Sequence, residues 1–449
     1  MNQRIYVLFC VLAAAACAWS QDPDTDGHVG YVTRAASASD FDVNGIRVLC
    51  GPQTHTTTKA LANQGPGHPG CPENTPYLGE SMRIDGNKKA HAIEADLIVA
   101  NPAPLGEVKG TAVIDALPES DAAALRQGNL LVRADGYFIR ITTKTSIVWN
   151  SPLRSLADVK AGDWIEYKGR QDQDGSIVAE SVKLSPDVVS KFESKLRART
   201  AYDDSPAATK KKPGKTRLSD KANPPLATKF PRYSNAEMQA RIDRIGNSLI
   251  PAYQRNLLKT DPARFEFRFV MVDEKKWHDA ITLPSGVILV PYQVVERLPN
   301  DAQLATVLAD NIACALEKQA YRALPRDIAL SAALDGAAVA GWFVPGLGVA
   351  SLIEGSAQSS EFLAQSEIFK QAEDQSGRVS LGLLQDAGYD ITQAPQAWWL
   401  LSAKKTKPLA DIPLPRRATG LYRMLGTVWH SQPARAAPII ASAQSAVPE

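Results

Sequence analysis

The side chains with the most to offer chemically sit in one helical stretch. Leu298–Lys318 carries an apolar stripe of Leu304, Val307, Leu308, Ile312 and Leu316. Asn300 or Asp301 can cap it, and Gln303 stands at a capping-box-like position. Asp310 and Cys314 are four residues apart, hence on one helix face, and each can individually ligate a metal. No His occurs between His278 and His430 to complete a ligand set. Cys314 with His278 as base is the pattern of a thiol nucleophile. A lone Cys and a lone His are weak evidence for it, and the plainer reading is a buried Cys and a surface His.

The elements that must position these residues begin near Ser234. Met238, Ile242, Ile245, Leu249 and Ile250 recur at helical spacing, and Phe265–Val272 reads as a strand. Asp279–Pro291 is a hairpin-like pair around Pro284-Ser285-Gly286. Leu334–Ile353 is rich in small and apolar residues but broken by Asp335, Pro345 and glycines. It is expected to be a buried helical hairpin rather than a membrane span, with peripheral membrane contact as the alternative. Glu361–Ala387 is a further long helix with Gly388 as its C-cap, and 431–449 reads as a flexible tail.

Ahead of that region, short β-branched and aromatic runs over 28–185 read as strands and contain an internal repeat. In one copy Val43–Cys50 is followed by Gly79, Gly86 and Ile93–Ile98; in the other Arg133–Ile141 is followed by Gly162, Gly169 and Ile177–Val182. Glycines at turns and bends between half-buried strands predict a small curled barrel made twice, over 28–102 and 107–186. The pattern resembles the bacterial OB-like family catalogued as domain-of-unknown-function family 5666. OB-like barrels bind oligosaccharides or nucleic acid, and Tyr137, Phe138, Trp149 and Trp164 would be the stacking platform, unless they are core. The first copy is longer around Cys50 and Cys71, which can close a Gly- and Pro-rich loop as a disulfide.

The 449 residues suggest about three domains, and 50 Lys+Arg against 48 Asp+Glu excludes a strong global field for nucleic acid. Residues 1–20 read as a secretory signal peptide: Arg4, an apolar run from Ile5, and small residues before Gln21. Cleavage near Ser20 would leave a secreted or periplasmic protein, with acylation of Cys17 the lesser alternative. Residues 203–232, rich in Lys and Pro, read as a solvated linker.

From Ser234 to Leu425 the chain resembles the HtpX-like zinc metallopeptidases, which include the CAAX prenyl proteases. DAITLPSGVILVPYQVV (Asp279–Val295) stands where that family has its hairpin, NDAQLATVLADNIAC (Asn300–Cys314) where it has its zinc helix, and QSGRVSLGLLQDAGYD (Gln375–Asp390) where it has its third ligand. Carried over, the two zinc-binding His positions are Asp310 and Cys314, the general base is Asn311 and the third ligand is Gln375. The resemblance thus implies a multidomain α+β protein: two OB-like barrels, then a mainly helical metallopeptidase-like domain over 234–428 with a β-hairpin. Every chemically required position is changed, so the expectation is an inactive pseudopeptidase without zinc or other cofactor. It would bind a polypeptide or an envelope protein, using the hairpin residues Asp279, Ala280, Leu283, Pro284 and Gly286. The competing readings are an active zinc metalloendopeptidase with an altered site, and oligosaccharide or nucleic-acid binding by the barrels.

Overall fold

A computed structural model describes residues 27–58, 67–89, 92–100, 106–119, 127–205, 230–275, 278–322, 367–403 and 412–430, with Leu125 and Ala227. The expected signal segment with Cys17, most of the expected linker, Leu334–Ile353 and the expected tail at 431–449 lie outside them.

The first barrel runs β1 (His28–Ser37), β2 (Asp40–Val43), β3 (Ile46–Leu49), β4 (His55–Thr58), β5 (His68–Pro69), β6 (Ser81–Lys88) and β7 (Ala92–Ala100). Five strands in the order β3-β2-β1-β6-β7 close when β3 pairs with β7, and β4 and β5 extend the sheet beyond β7. The second barrel repeats the plan. Its strands are β8 (Glu107–Glu119), β9 (Leu130–Ala134), β10 (Tyr137–Ile141), β11 (Ser146–Trp149), β12 (Trp164–Gln171) and β13 (Ile177–Ser185). Here β10-β9-β8-β12-β13 close through β10 and β13, and β11 is the appendage. Both are OB-like, and the internal repeat is structural.

The repeated glycines have two distinct jobs. Asn44-Gly45 and Asp135-Gly136 are the hairpin tips, with φ of 50° and 77° in one and 54° and 74° in the other. Two successive positive φ values make the tight turn that suits twisted strands, and the Asx-Gly pair adopts it at least cost. Gly86 and Gly169 each follow a register shift, where an added Cβ would lie 2.0 Å from the Glu94 carbonyl or 2.3 Å from that of Val178. These bulges bend the long strands enough to close the barrels. Val32, Phe41, Val48 and Ile98 fill the first, and Ile114, Val132, Ile139 and Ile165 the second.

The rest is mainly helical: α1 (Lys191–Arg199), α2 (Ala236–Leu249), α3 (Ala252–Asn256), α4 (Tyr292–Arg297), α5 (Asp301–Leu316), α6 (Gln319–Arg322), α7 (Glu367–Asp386), α8 (Ala394–Ser402) and α9 (Arg416–Met424). A small sheet of β14 (Arg268–Val272), β16 (Val287–Pro291) and β15 (Ile281–Thr282), in that order, holds the expected hairpin. The Asn300 side chain caps α5 by accepting from Ala302 N at 2.8 Å. Gln303 completes no capping box; it donates to Gln393 at 3.2 Å. Almost all of α5 is buried, which fits its run of Ala, Val, Leu and Ile.

The two halves are not independent. Leu131 and Phe138 of the second barrel belong to the same apolar cluster as α2, α5, α7, α8 and α9. The ends of the Lys- and Pro-rich segment are also anchored: Tyr202 and Phe230 cover one face of the small sheet, and the Tyr202 hydroxyl donates to the Phe230 carbonyl at 2.7 Å. Of 203–232 itself, Phe230 and Ala227 are thus packed rather than solvated, with Tyr202 just ahead of the segment.

Candidate functional site

The polar face of α5 is closed by an arginine. Asp310 is 2% exposed, and an ionised carboxylate there needs a counter-charge. Arg417, in the first turn of α9, supplies it. One guanidinium nitrogen lies 2.6 Å from Asp310 Oδ2 and another 2.5 Å from Asp279 Oδ2, at the entry to the hairpin. The flat of the same group covers the Trp398 ring, 3.2 Å from its centroid. Ser376, on α7, donates its hydroxyl to Asp310 Oδ1 at 3.0 Å. Burial, opposed by Arg417 and reinforced by the charge of Asp310, pushes the Asp279 carboxyl up to about 6. Burial works against the Arg417 charge, yet Asp310 and Asp279 hold it above its ordinary value.

Cys314, half-buried and outside any disulfide, has its thiol raised well above the usual range by burial and then by the Asp310 charge. A thiol so placed stays protonated. His278, the other half of the thiol-nucleophile pattern, is exposed. Asn311 is used structurally: its amide donates to the Val307 carbonyl at 2.9 Å and accepts from the Thr282 hydroxyl at 2.8 Å, tying α5 to the hairpin. Gln375 is not brought to Asp310 at all. It donates to the Thr111 carbonyl of the second barrel at 2.9 Å and accepts from Arg322 at 3.1 Å. Its neighbours Glu373 and Asp374 both pair with Arg416.

This donor set does not fit zinc. Its two carboxylates are engaged by one guanidinium, and Gln375 faces elsewhere. Among the described residues no three His, Cys, Asp or Glu side chains form a group that would hold a metal. Of the hairpin residues, only Asp279 reaches the charged cluster. Ala280 and Leu283 are fully buried, the Pro284 carbonyl accepts from the Tyr321 hydroxyl at 3.1 Å, and Gly286 (φ 89°) makes the turn. The tip is docked as well, since Ser285 N donates to Thr200 Oγ1 at 3.1 Å. Outside Arg417 a cleft of about 250 Å³ opens between the helices and the first barrel, lined by Tyr31, Glu373, Trp398, Arg416 and Arg423.

Both barrels meet the helices with corresponding features. The Gly45 tip sits against the Trp399 ring and the Gly136 tip against the Arg378 backbone. Buried ions lock the second barrel in place. Arg133 lies 2.9 Å from Asp115 in its own barrel and 2.6 Å from Asp386 on α7. Asp135 takes Arg378 from α7 and, at 2.9 Å, the Tyr167 hydroxyl.

Residues 123–183 match the family described as Domain of unknown function (DUF5666). The match lies on the second barrel, ending within β13. No curated protein matches the chain. On this second barrel the four aromatic residues share no platform. Phe138 packs edge-on against Trp429 with centroids 5.5 Å apart, Tyr137 faces Arg378, Trp164 donates to Asp187 at 3.1 Å, and Trp149 packs on the barrel core. Adjacent residues on a strand point to opposite faces, so Tyr137 and Phe138 cannot stack one ligand together. In the first barrel Cys50 and Cys71 form a disulfide.

Arg417, Trp398 and Ser376 are the site residues that the sequence reading missed. The signal that leads to Arg417 is a deficit: Asp310 and Asp279, both expected near the helix–hairpin contact, require a cation, and the Arg416-Arg417 pair after Pro415 is a source of one.

Proposed function

We propose that this is a secreted or periplasmic protein whose helical region is an inactive counterpart of the HtpX-like zinc metallopeptidases, and that it holds polypeptide or a partner protein without cutting it. The observation that carries this reading is the Arg417 bridge between Asp279 and Asp310, which puts a guanidinium beside the helix face where that family would place a metal. Asn311 supplies no base, and the Cys314 thiol supplies no nucleophile at neutral pH. The buried, docked hairpin offers little free edge, so the bound chain is assigned to the arginine-lined cleft outside Arg417 rather than to strand addition. Acidic side chains would suit Arg423 at its rim.

The test uses the full mature protein and unfolded casein, an acidic polypeptide. Co-elution of intact casein on gel filtration is the expected result. Chelator-sensitive fragments would restore the active-peptidase reading, and neither association nor cleavage would remove the polypeptide-holding role.

A further inference from the structure

The longer copy of the repeat builds something that its partner lacks. β4 has its counterpart in β11, but between Gly45 and Gly79 the first barrel has additional chain, and this chain forms β5, the Cys50–Cys71 bridge and the 72–77 loop. Together they wall a cleft of about 740 Å³ over β6 and β7, within the roughly 300–1,000 Å³ range of small-molecule sites. It lies over the core residues Met82 and Ile98, and its walls carry Thr56, Asn74, Tyr77 and Glu80.

We propose that this cleft binds a neutral oligosaccharide. Hydroxyl groups of a sugar donate and accept at once, and they need partners that do both, as Thr, Asn and Tyr side chains do. Pro72 and Ala100, both half-buried, offer apolar surface to the C–H faces of pyranose rings. Among the described lining residues there is no Lys or Arg, and the phosphate backbone of a nucleic acid depends on such charges. The walls are held before any ligand arrives. Thr56 donates to the Gly70 carbonyl at 2.9 Å, the Tyr77 ring stacks on His430 at 3.7 Å, and Tyr77 N donates to Glu80 at 3.3 Å. Glu80 keeps acceptor capacity beyond that one bond, and burial raises its carboxyl above the ordinary range. The inference is independent of the peptidase-like reading, because no residue of the Arg417 cluster takes part.

Calorimetric titration of the full mature protein with cellotetraose and with chitotetraose tests it, with a twelve-nucleotide oligothymidylate as the charged competitor. One of the two sugars should bind, and Glu80→Gln and Asn74→Ala should each weaken it by tenfold or more. Asn74 is exposed on the wall, so Asn74→Ala carries the test should Glu80→Gln lower the melting temperature. Absence of binding by both sugars at millimolar concentration overturns the proposal. So does sugar binding that survives both substitutions, or displacement of the sugar by the oligonucleotide.

Discussion

Arg417 and Asp310, 107 residues apart in sequence, meet at 2.6 Å in a setting where Asp310 is almost wholly buried. The contact matters because the same guanidinium also holds Asp279, so one cation serves two carboxylates, with Trp398 against its face. Removing either acid leaves a paired arginine, whereas removing the arginine leaves two buried acids together.

Arg417→Ala should therefore be the most damaging single change in the helical region. Breaking a buried ion pair by deleting one partner costs about 3–5 kcal/mol. Arg417→Lys should cost less, since it keeps the charge but cannot span both acids with a planar fork. Urea unfolding of the three proteins measures the order, and equal stability of Arg417→Ala and the parent would refute the bridge.

The sign of the pH dependence follows from Asp279. Its folded value, pushed up to about 6 from 3.8, means that the folded state binds this proton more tightly than the unfolded chain does. Its contribution to stability is complete below about pH 4 and is lost as pH rises to about 6. Asp115, also pushed up to about 6 by burial against the pull of Arg133, acts in the same direction. The melting temperature of Asp279→Asn relative to the parent should climb across this window. A relative decline would show that Arg417 outweighs burial at Asp279.

Glycines separate backbone strain from docking. Gly136 and Gly388 have φ of 74° and 77°, but only at Gly136 would a Cβ collide with a neighbour, 2.5 Å from the Arg378 carbonyl. Gly388→Ala should cost about 1 kcal/mol from the backbone alone. Gly136→Ala should cost clearly more, by thermal denaturation, because the barrel must back away from α7. Equal losses would mean that the tip does not bear on the helices.

Cleavage between 206 and 226 should leave a nicked protein that elutes as one species. Leu131 and Phe138 lie in the helical core, and Arg133 and Asp135 pair across the boundary. Separation of a strand-rich fragment from a helix-rich one under native conditions on gel filtration would contradict this packing.

The legibility of the chain follows the range of each interaction. Gly86 and Gly169 stood out because a bulge leaves no room for a Cβ, and Pro284-Ser285-Gly286 because a turn constrains adjacent residues. The two barrels and the helical region with its small sheet could thus be read directly. The face that Gln375 presents to Thr111 could not, since helical periodicity identifies a buried side without naming the neighbour. Arg417 was hidden for the same reason: its partners lie 107 and 138 residues upstream, and no local spacing encodes them. Tyr202 and Phe230 flank a stretch whose composition resembles a spacer, and their contact across it shows only in three dimensions.

The most direct measurement is the metal content of the protein after purification without added chelator, read by inductively coupled plasma mass spectrometry. With Arg417 held by both Asp279 and Asp310, zinc should be well below one equivalent, and a chelator should leave the melting temperature unchanged. Bound metal would otherwise stabilise the folded state by about 4 kcal/mol at a thousand times its dissociation constant. Stoichiometric zinc that disappears in Asp310→Ala, together with chelator-sensitive proteolysis, would contradict the account.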